Sequence, residues 1–220
     1  MLGYYTHMAE PVKIAKRTRR AQKAQATHDR IVEAARHLFL QRGYVQTTID
    51  AIAEAADVAV ETVYARSRNK TNLMIAVKHA TVTEDGHTPL EDRPELASLA
   101  AERDPRRRVQ IAAELSRAML ERIAPVYALL HDAAASDEAL RAQQAAEIAR
   151  RRRFQRILVE LIGADGALRA DLTLDQAADT YSALGNPEVY LLLTQHHRWT
   201  PARYQAWLAD SLERLLLREP

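Results

Sequence analysis

The chain of 220 residues contains no cysteine. That excludes disulfides and thiolate sites, and suits a protein of the reducing cytoplasm. Glycine is scarce, six in all, and alternating runs of β-branched residues are missing, so a sheet has little to be built from. No apolar run approaches the ~18 residues of a membrane span, and the opening MLGYYTHMAE lacks the long apolar stretch of a signal peptide. Met8 is a second candidate start. A glycine-rich phosphate loop, H-E-x-x-H and G-x-S-x-G are all absent. The carboxylates form no suggestive pair, and the adjacent His196 and His197 are poorly spaced for two ligands on one helix face. An enzyme has no local support, and no metal or cofactor is expected.

What is present is 47% hydrophobic and 27% charged, the composition of globular domains. The net charge of +2 hides an asymmetry. Residues 1–24 hold six Lys/Arg (Lys13, Lys16, Arg17, Arg19, Arg20, Lys23) against Glu10, a balance of +5. The part after residue 80 is net acidic. A basic front and an acidic back point the front toward a polyanion.

Helical periodicity runs through most of the chain, which reads as all-α. Thr27 is placed as the cap of a first helix carrying Ile31, Ala34, Ala35, Leu38 and Phe39 on one face, ended by Gly43. Thr47 or Thr48 opens a second helix, with Ile49, Ile52, Ala53 and Ala56 as its apolar stripe. A turn at Asp57-Val58 leads to a short helix near 59–65, and a fourth helix starts at about Lys70. Residues 84–95, EDGHTPLEDRPE, read as a surface loop. Asp104-Pro105 opens a helix interrupted or restarted at Pro125 and ending near Ala135. Ser136 or Asp137 caps a long helix that ends near Gly163. Thr173-x-x-Gln176 is a capping box, its helix meets Asn186-Pro187 and continues to about Gln195, and Thr200-Pro201 opens the last helix.

The stretch TTIDAIAEAADVAVETVY gives the front its character. Two short helices crossing through a tight turn form a helix-turn-helix. Ala53 and Ala56 allow the close crossing, and Asp57 tolerates the positive φ the turn needs. Val58 and Val63 anchor the second helix, leaving Ala59, Val60, Thr62 and Tyr64 available outside. A helix of this size fits a DNA major groove.

Residues 30–77, RIVEAARHLFLQRGYVQTTIDAIAEAADVAVETVYARSRNKTNLMIAV, resemble the DNA-binding domain of TetR-type bacterial transcriptional regulators. The resemblance rests on the long first helix, RGY, TTIDAIAEAA, VAVETVY and the Lys before Leu in the fourth helix. It departs from the family at Asp57, where glycine is usual, at Ala59, where a Ser or Thr cap is usual, at Val60-Glu61, and at Ser67, where an aromatic is usual. The resemblance implies that Thr47, Thr48, Tyr64 and Lys70 meet phosphates and that Val60, Glu61 and Thr62, following Ala59, face bases. Arg66 and Arg68 are within reach of the backbone.

The implied organisation is a basic, disordered arm (1–24), a three-helix helix-turn-helix domain (25–72) and a helical ligand-binding and dimerisation domain (73–220). Candidate pocket residues are Met119, Tyr127, Phe154, Leu158 and Tyr181. On the last two helices Leu191, Leu192, Trp207, Leu208, Leu212 and Leu215 exceed what one core-facing stripe needs, as in a two-fold dimer. The run Arg150–Arg153 sweeps roughly 300° of a helix, so at least one guanidinium should turn inward or toward a partner, pairing with Glu147, an acidic neighbour or water, or alternatively with an anionic ligand. The expected partners are double-stranded DNA, a second copy of the chain and an unidentified small molecule, with no membrane. The expected function is transcription regulation in the cytoplasm, as a repressor released from a palindromic operator by a ligand. The alternatives are a ligand-independent regulator, or a helical small-molecule-binding protein with a degenerate head.

Overall fold

The computed structural model describes residues 11–82 and 94–218. Among them the chain is helical throughout, and the only β-type pairing is an isolated bridge between Leu168 and Leu217. The elements are α1 (Pro11–Gln46), α2 (Ile49–Ala55), α3 (Val60–Ser67), α4 (Lys70–Val82), α5 (Pro94–Ala101), α6 (Pro105–Ala134), α7 (Glu138–Ile162), α8 (Leu174–Leu184), α9 (Pro187–Leu191) and α10 (Pro201–Leu216). No helix of the described residues is long and apolar enough to cross a membrane.

Two expectations about the front are corrected. The segment from Pro11 to residue 24 is helical and continuous with α1; residues 1–10 of the expected arm lie outside the described residues. Thr27 is no cap: its hydroxyl donates to the Lys23 carbonyl one turn back, inside the helix. Gly43 does break α1, with φ 77°, a conformation only glycine adopts without strain. Asp104, Asp137, Thr173 and Thr200 each cap a helix as their sequence context predicts; the helix expected to continue through Asn186-Pro187 instead ends at Leu184, and Asn186 caps a new one. The loop expected at 84–95 lies mostly outside the described residues, but Pro94 and Glu95 already belong to α5, which short periodicity did not reveal. Pro125 sits inside α6 without ending it. After α9 the chain makes one wider, π-type turn over Leu192–His196.

Two apolar cores result. The first joins Ile31, Ala35 and Phe39 of α1 to Ile52, Val63, Leu73, Met74 and Val77, and is closed from below by Val126 and Leu130 of α6 and Leu140 of α7. The boundary expected after residue 72 therefore falls inside α4, whose middle belongs to this core. The second core packs α6, α7, α8 and α10 around Leu120, Leu158, Tyr181, Tyr204, Leu208 and Leu212. Tyr181 hydrogen-bonds Ser116 Oγ at 2.7 Å and Tyr204 donates to the Leu184 carbonyl at 3.0 Å, so neither buried phenol is left unpaired. A smaller cluster of Val82, Ile123 and Tyr127, flanked by Met119 and Phe154, lies at the far end of α4.

Polar bonds tie α4 to α7 at two places. Near its start, Thr71 donates to Asp137 Oδ2 at 2.6 Å, and Asp137 also caps α7 through the Ala139 and Leu140 amides. Near its end, Lys78 Nζ donates to Glu147 Oε1 at 2.5 Å, both side chains being buried. Glu147 Oε2 accepts from Tyr127 at 2.8 Å and from Arg150 at 2.7 Å, so the arginine run does send one guanidinium inward. Burial alone would raise the Glu147 carboxyl, but the bonds from Arg150, Lys78 and Tyr127 outweigh it and hold it at about 2.

Removing one member of a buried pair strands the other charge. Lys78→Met should destabilise the fold by about 3–5 kcal/mol in urea unfolding. Lys78→Met with Glu147→Leu should recover most of that loss. The pH profile has a definite sign: a carboxyl held below its ordinary 4.5 contributes stability that is complete above that value and disappears as pH falls toward 2. Glu147→Gln should flatten the stability profile between those limits relative to the wild type.

Candidate nucleic-acid interface and ligand cleft

The helix-turn-helix is built from local bonds. Thr48 caps α2, its Oγ1 accepting from the Ala51 amide at 3.1 Å. The Val58 amide reaches the Ala53 carbonyl at 3.0 Å, and Asp57 takes φ 51° to turn the chain; aspartate is among the few non-glycine residues that visit this region readily. Ala59 occupies the cap of α3 without a side-chain bond. Val63 and Ser67 face inward, the Ser67 hydroxyl being buried without a partner. Val58 and Val60 pack part-buried against the first core. Outward stand Glu61, Arg66, Arg68 and Tyr64, which is 50% exposed with its hydroxyl unbonded among the described residues. Thr62 is half-buried at the edge of this face.

Two predicted phosphate contacts are corrected. Thr47 is fully buried, and its hydroxyl donates to the Gly43 carbonyl at 2.8 Å and the Leu38 carbonyl at 3.2 Å. It ties the broken end of α1 to the start of α2. Lys70 Nζ donates to the carbonyls of Tyr44, Val45 and Thr47 at 2.9, 3.3 and 3.1 Å, and lies 4.4 Å from the Tyr44 ring centre. All three ammonium protons are used, and burial lowers its pKa. Lys70 satisfies the carbonyls freed where α1 ends, the role a basic group fills at a helix C-terminus. Thr48, Ala59, Val60, Glu61, Thr62, Tyr64 and Arg66 remain on or beside the open face.

In the C-terminal part a narrow cleft opens beside the end of α4. Of the five expected pocket residues, Met119, Tyr127 and Phe154 line it, together with Val82 of α4. Leu158 and Tyr181 do not; both are core residues, the tyrosine fixed by Ser116 and the Ala112 carbonyl. Arg150, Arg151 and Gln155 also line the cleft. Their polarity hid them from a search for apolar liners; the signal that could have found them is an Arg and a Gln four residues apart, one turn along a single helix face. Burial and the neighbouring Glu147 charge raise the Tyr127 phenol well above its ordinary range.

The expected dimer residues divide. Leu208 and Leu212 are fully buried within the subunit and are corrected to core. Leu192 and Leu215 are 47% and 44% exposed, and Leu191 and Trp207 are part-buried beside them.

A helix-turn-helix head with an open second helix, carried on a helical body, is the build of a DNA-binding transcription regulator. Residues 31–77 match the bacterial regulatory proteins of the tetR family. No curated protein matches the chain in sequence. Among solved structures it is similar to NalD, the secondary repressor of the MexAB-OprM multidrug efflux pump in Pseudomonas aeruginosa, at 23% identity over 90% of this chain and 100% of that one, with a TM-score of 0.66. A transcriptional regulator from Saccharomonospora viridis in complex with choline matches at 20% identity over 89% and 100% of the two chains, with a TM-score of 0.70. The SmeT–triclosan complex matches at 18% identity over 88% and 93%, with a TM-score of 0.68. At these identities the structural likeness is one of fold.

If Thr47 and Lys70 are structural, their loss is felt in stability. Thr47→Val and Lys70→Met should each lower unfolding free energy by about 1–3 kcal/mol, measured by urea denaturation. DNA affinity per folded molecule should change far less than for Tyr64→Ala.

Proposed function

We propose that the chain is a ligand-responsive repressor that holds a palindromic operator as a homodimer and leaves it when a small molecule enters the C-terminal cleft. The observation that carries this reading is the position of α4. Leu73, Met74 and Val77 of that helix lie in the core of the head, while Val82 lines the cleft and Lys78 is bonded to Glu147 on α7. One rigid element thus touches both the DNA-binding unit and the ligand space. A ligand acts on DNA affinity only by binding the two arrangements of α4 unequally.

On the head, α3 enters the major groove. Val60 meets thymine methyls, Glu61 accepts from cytosine N4, and Thr62 reaches base edges. Tyr64, Arg66 and the free amides behind Thr48 hold phosphates. The basic stretch from Lys13 to Lys23 adds phosphate contacts at the front of α1. The pairing surface is the exposed side of α9, the π-type turn and α10, centred on Leu192 and Leu215 with Leu191 and Trp207. Such regulators work with the DNA, in the bacterial cytoplasm. The relatives support the ligand half of the reading: one is a repressor tied to a multidrug pump, and two are described with choline and with triclosan.

The test is selection of bound sequences from random duplexes. A palindrome with half-sites about one DNA turn apart, ~34–36 Å, is expected; enrichment of nothing, or of a single asymmetric site, would sink the proposal. Leu192→Glu combined with Leu215→Glu should yield monomers by analytical ultracentrifugation and lower operator affinity at least about tenfold, because one short helix alone reads too few bases.

A further inference from the structure

The cleft beside α4 is mostly apolar, with cationic side chains along one wall. Among the described residues, Lys78, Arg150 and Arg151 approach Tyr127 and the buried Glu147 carboxylate. Lys78 and Arg150 are both bonded to Glu147. Arg151 is not: its guanidinium lies 5.0 Å from the Tyr127 ring centre, and its Nη1 is buried with no hydrogen-bond partner among the described residues. One helical turn further, Gln155 is 5% exposed and its Oε1 is likewise unpartnered, while its Nε2 is turned to the Gly185 carbonyl at 3.4 Å. Both residues line the cleft. Buried polar groups in folded proteins are satisfied as a rule, and Arg151 Nη1 and Gln155 Oε1 depart from it among the described residues. The pair therefore describes a head group, an anionic acceptor for Arg151 and a hydrogen-bond donor for Gln155, on an apolar body that enters between Leu120, Ile123 and Phe154 as the water-sized space there widens.

We infer that the cleft takes a small carboxylic acid with an apolar or aromatic body and a hydroxyl or N–H donor, its carboxylate on Arg151 and its donor on Gln155. The inference rests on the ligand-responsive reading above and names the effector class. It also supplies the route to α4. A carboxylate on Arg151 competes with Glu147 for Arg150. Glu147, left with one cation fewer, holds Lys78 more firmly, so the ligand favours the arrangement of α4 in which this pair is closed. Gln155 is fixed by its bond to Gly185, so its carbonyl oxygen selects for the donor and rejects a bare hydrocarbon acid.

The probes are 4-hydroxybenzoate, benzoate, phenol, benzylamine and inorganic phosphate, titrated calorimetrically into the full chain without DNA. The expected order places 4-hydroxybenzoate first and benzoate second, with phenol and phosphate at least about tenfold weaker and benzylamine weakest, since a hydrogen bond to a charged group carries that discrimination. Arg151→Met should reduce affinity for both acids about tenfold or more while leaving phenol unchanged. Gln155→Leu should erase the preference of 4-hydroxybenzoate over benzoate. Equal binding of acid, phenol and amine by the wild type, or undiminished acid binding by a folded Arg151→Met variant, overturns the inference. If that variant does not fold, the ranking of probes on the wild type decides alone. Duplex affinity of the ligand-free chain is measured in parallel. Acid binding without any DNA affinity would refute the regulator and leave the acid site standing; DNA affinity without acid binding would do the reverse.

Discussion

The structure depends on α4 being fastened to α7 at two points along its length. Thr71 meets Asp137 near the first end and Lys78 meets Glu147 near the second. The first fastening is a hydroxyl on a helix cap, near the head. The second is a buried ion pair, which is stable only while every member keeps its partner. Apolar packing could hold α4 in place but would leave it free to slide. Charges and hydroxyls fix its register against α7, because a hydrogen bond is lost within an ångström of displacement.

That arrangement makes the second fastening the weak point by design of its chemistry. The head has an apolar core with Thr47 and Lys70 stitching its corners, and shares it with α6 and α7 through Val126, Leu130 and Leu140. The body is a second closed core. At the far end of α4 lie the small Val82–Ile123–Tyr127 cluster and the cleft, beside the bonds of Glu147 to Lys78 and Arg150. Packed elements joined by such bonds shift between discrete arrangements, since well-packed interiors do not deform smoothly.

The head also shows how a recognition motif divides its labour. Thr47 and Lys70 belong to the resemblance as much as Tyr64 does, yet they face the opposite way. Where α1 breaks at Gly43 its last carbonyls lose their intrahelical donors, and Thr47 and Lys70 supply replacements. The motif thus holds the open face in position as well as furnishing it. Ala59 and Ser67, which depart from the family pattern, leave α3 without a side-chain cap and with a buried, unpartnered hydroxyl; α3 is held chiefly by Val58, Val60 and Val63 against the first core.

The sequence by itself determined the all-α class, the caps at Asp104, Asp137, Thr173 and Thr200, the positive φ at Asp57 and the helix-turn-helix with its outward Tyr64. These are local properties: a cap bonds amides two or three residues away, and a stripe repeats each turn. Inward turning of the arginine run was legible too, because four consecutive helical residues cannot share one side. Tertiary structure alone decided the rest. Leu208 and Leu212 share a stripe with Leu215, yet only packing against α6 decides which are interior and which stay exposed. Thr47 is a tether because a break in α1 brings two carbonyls to it. Lys78 and Glu147, 69 positions apart, become a buried pair only when α4 lies along α7, and no periodicity within either helix records that meeting.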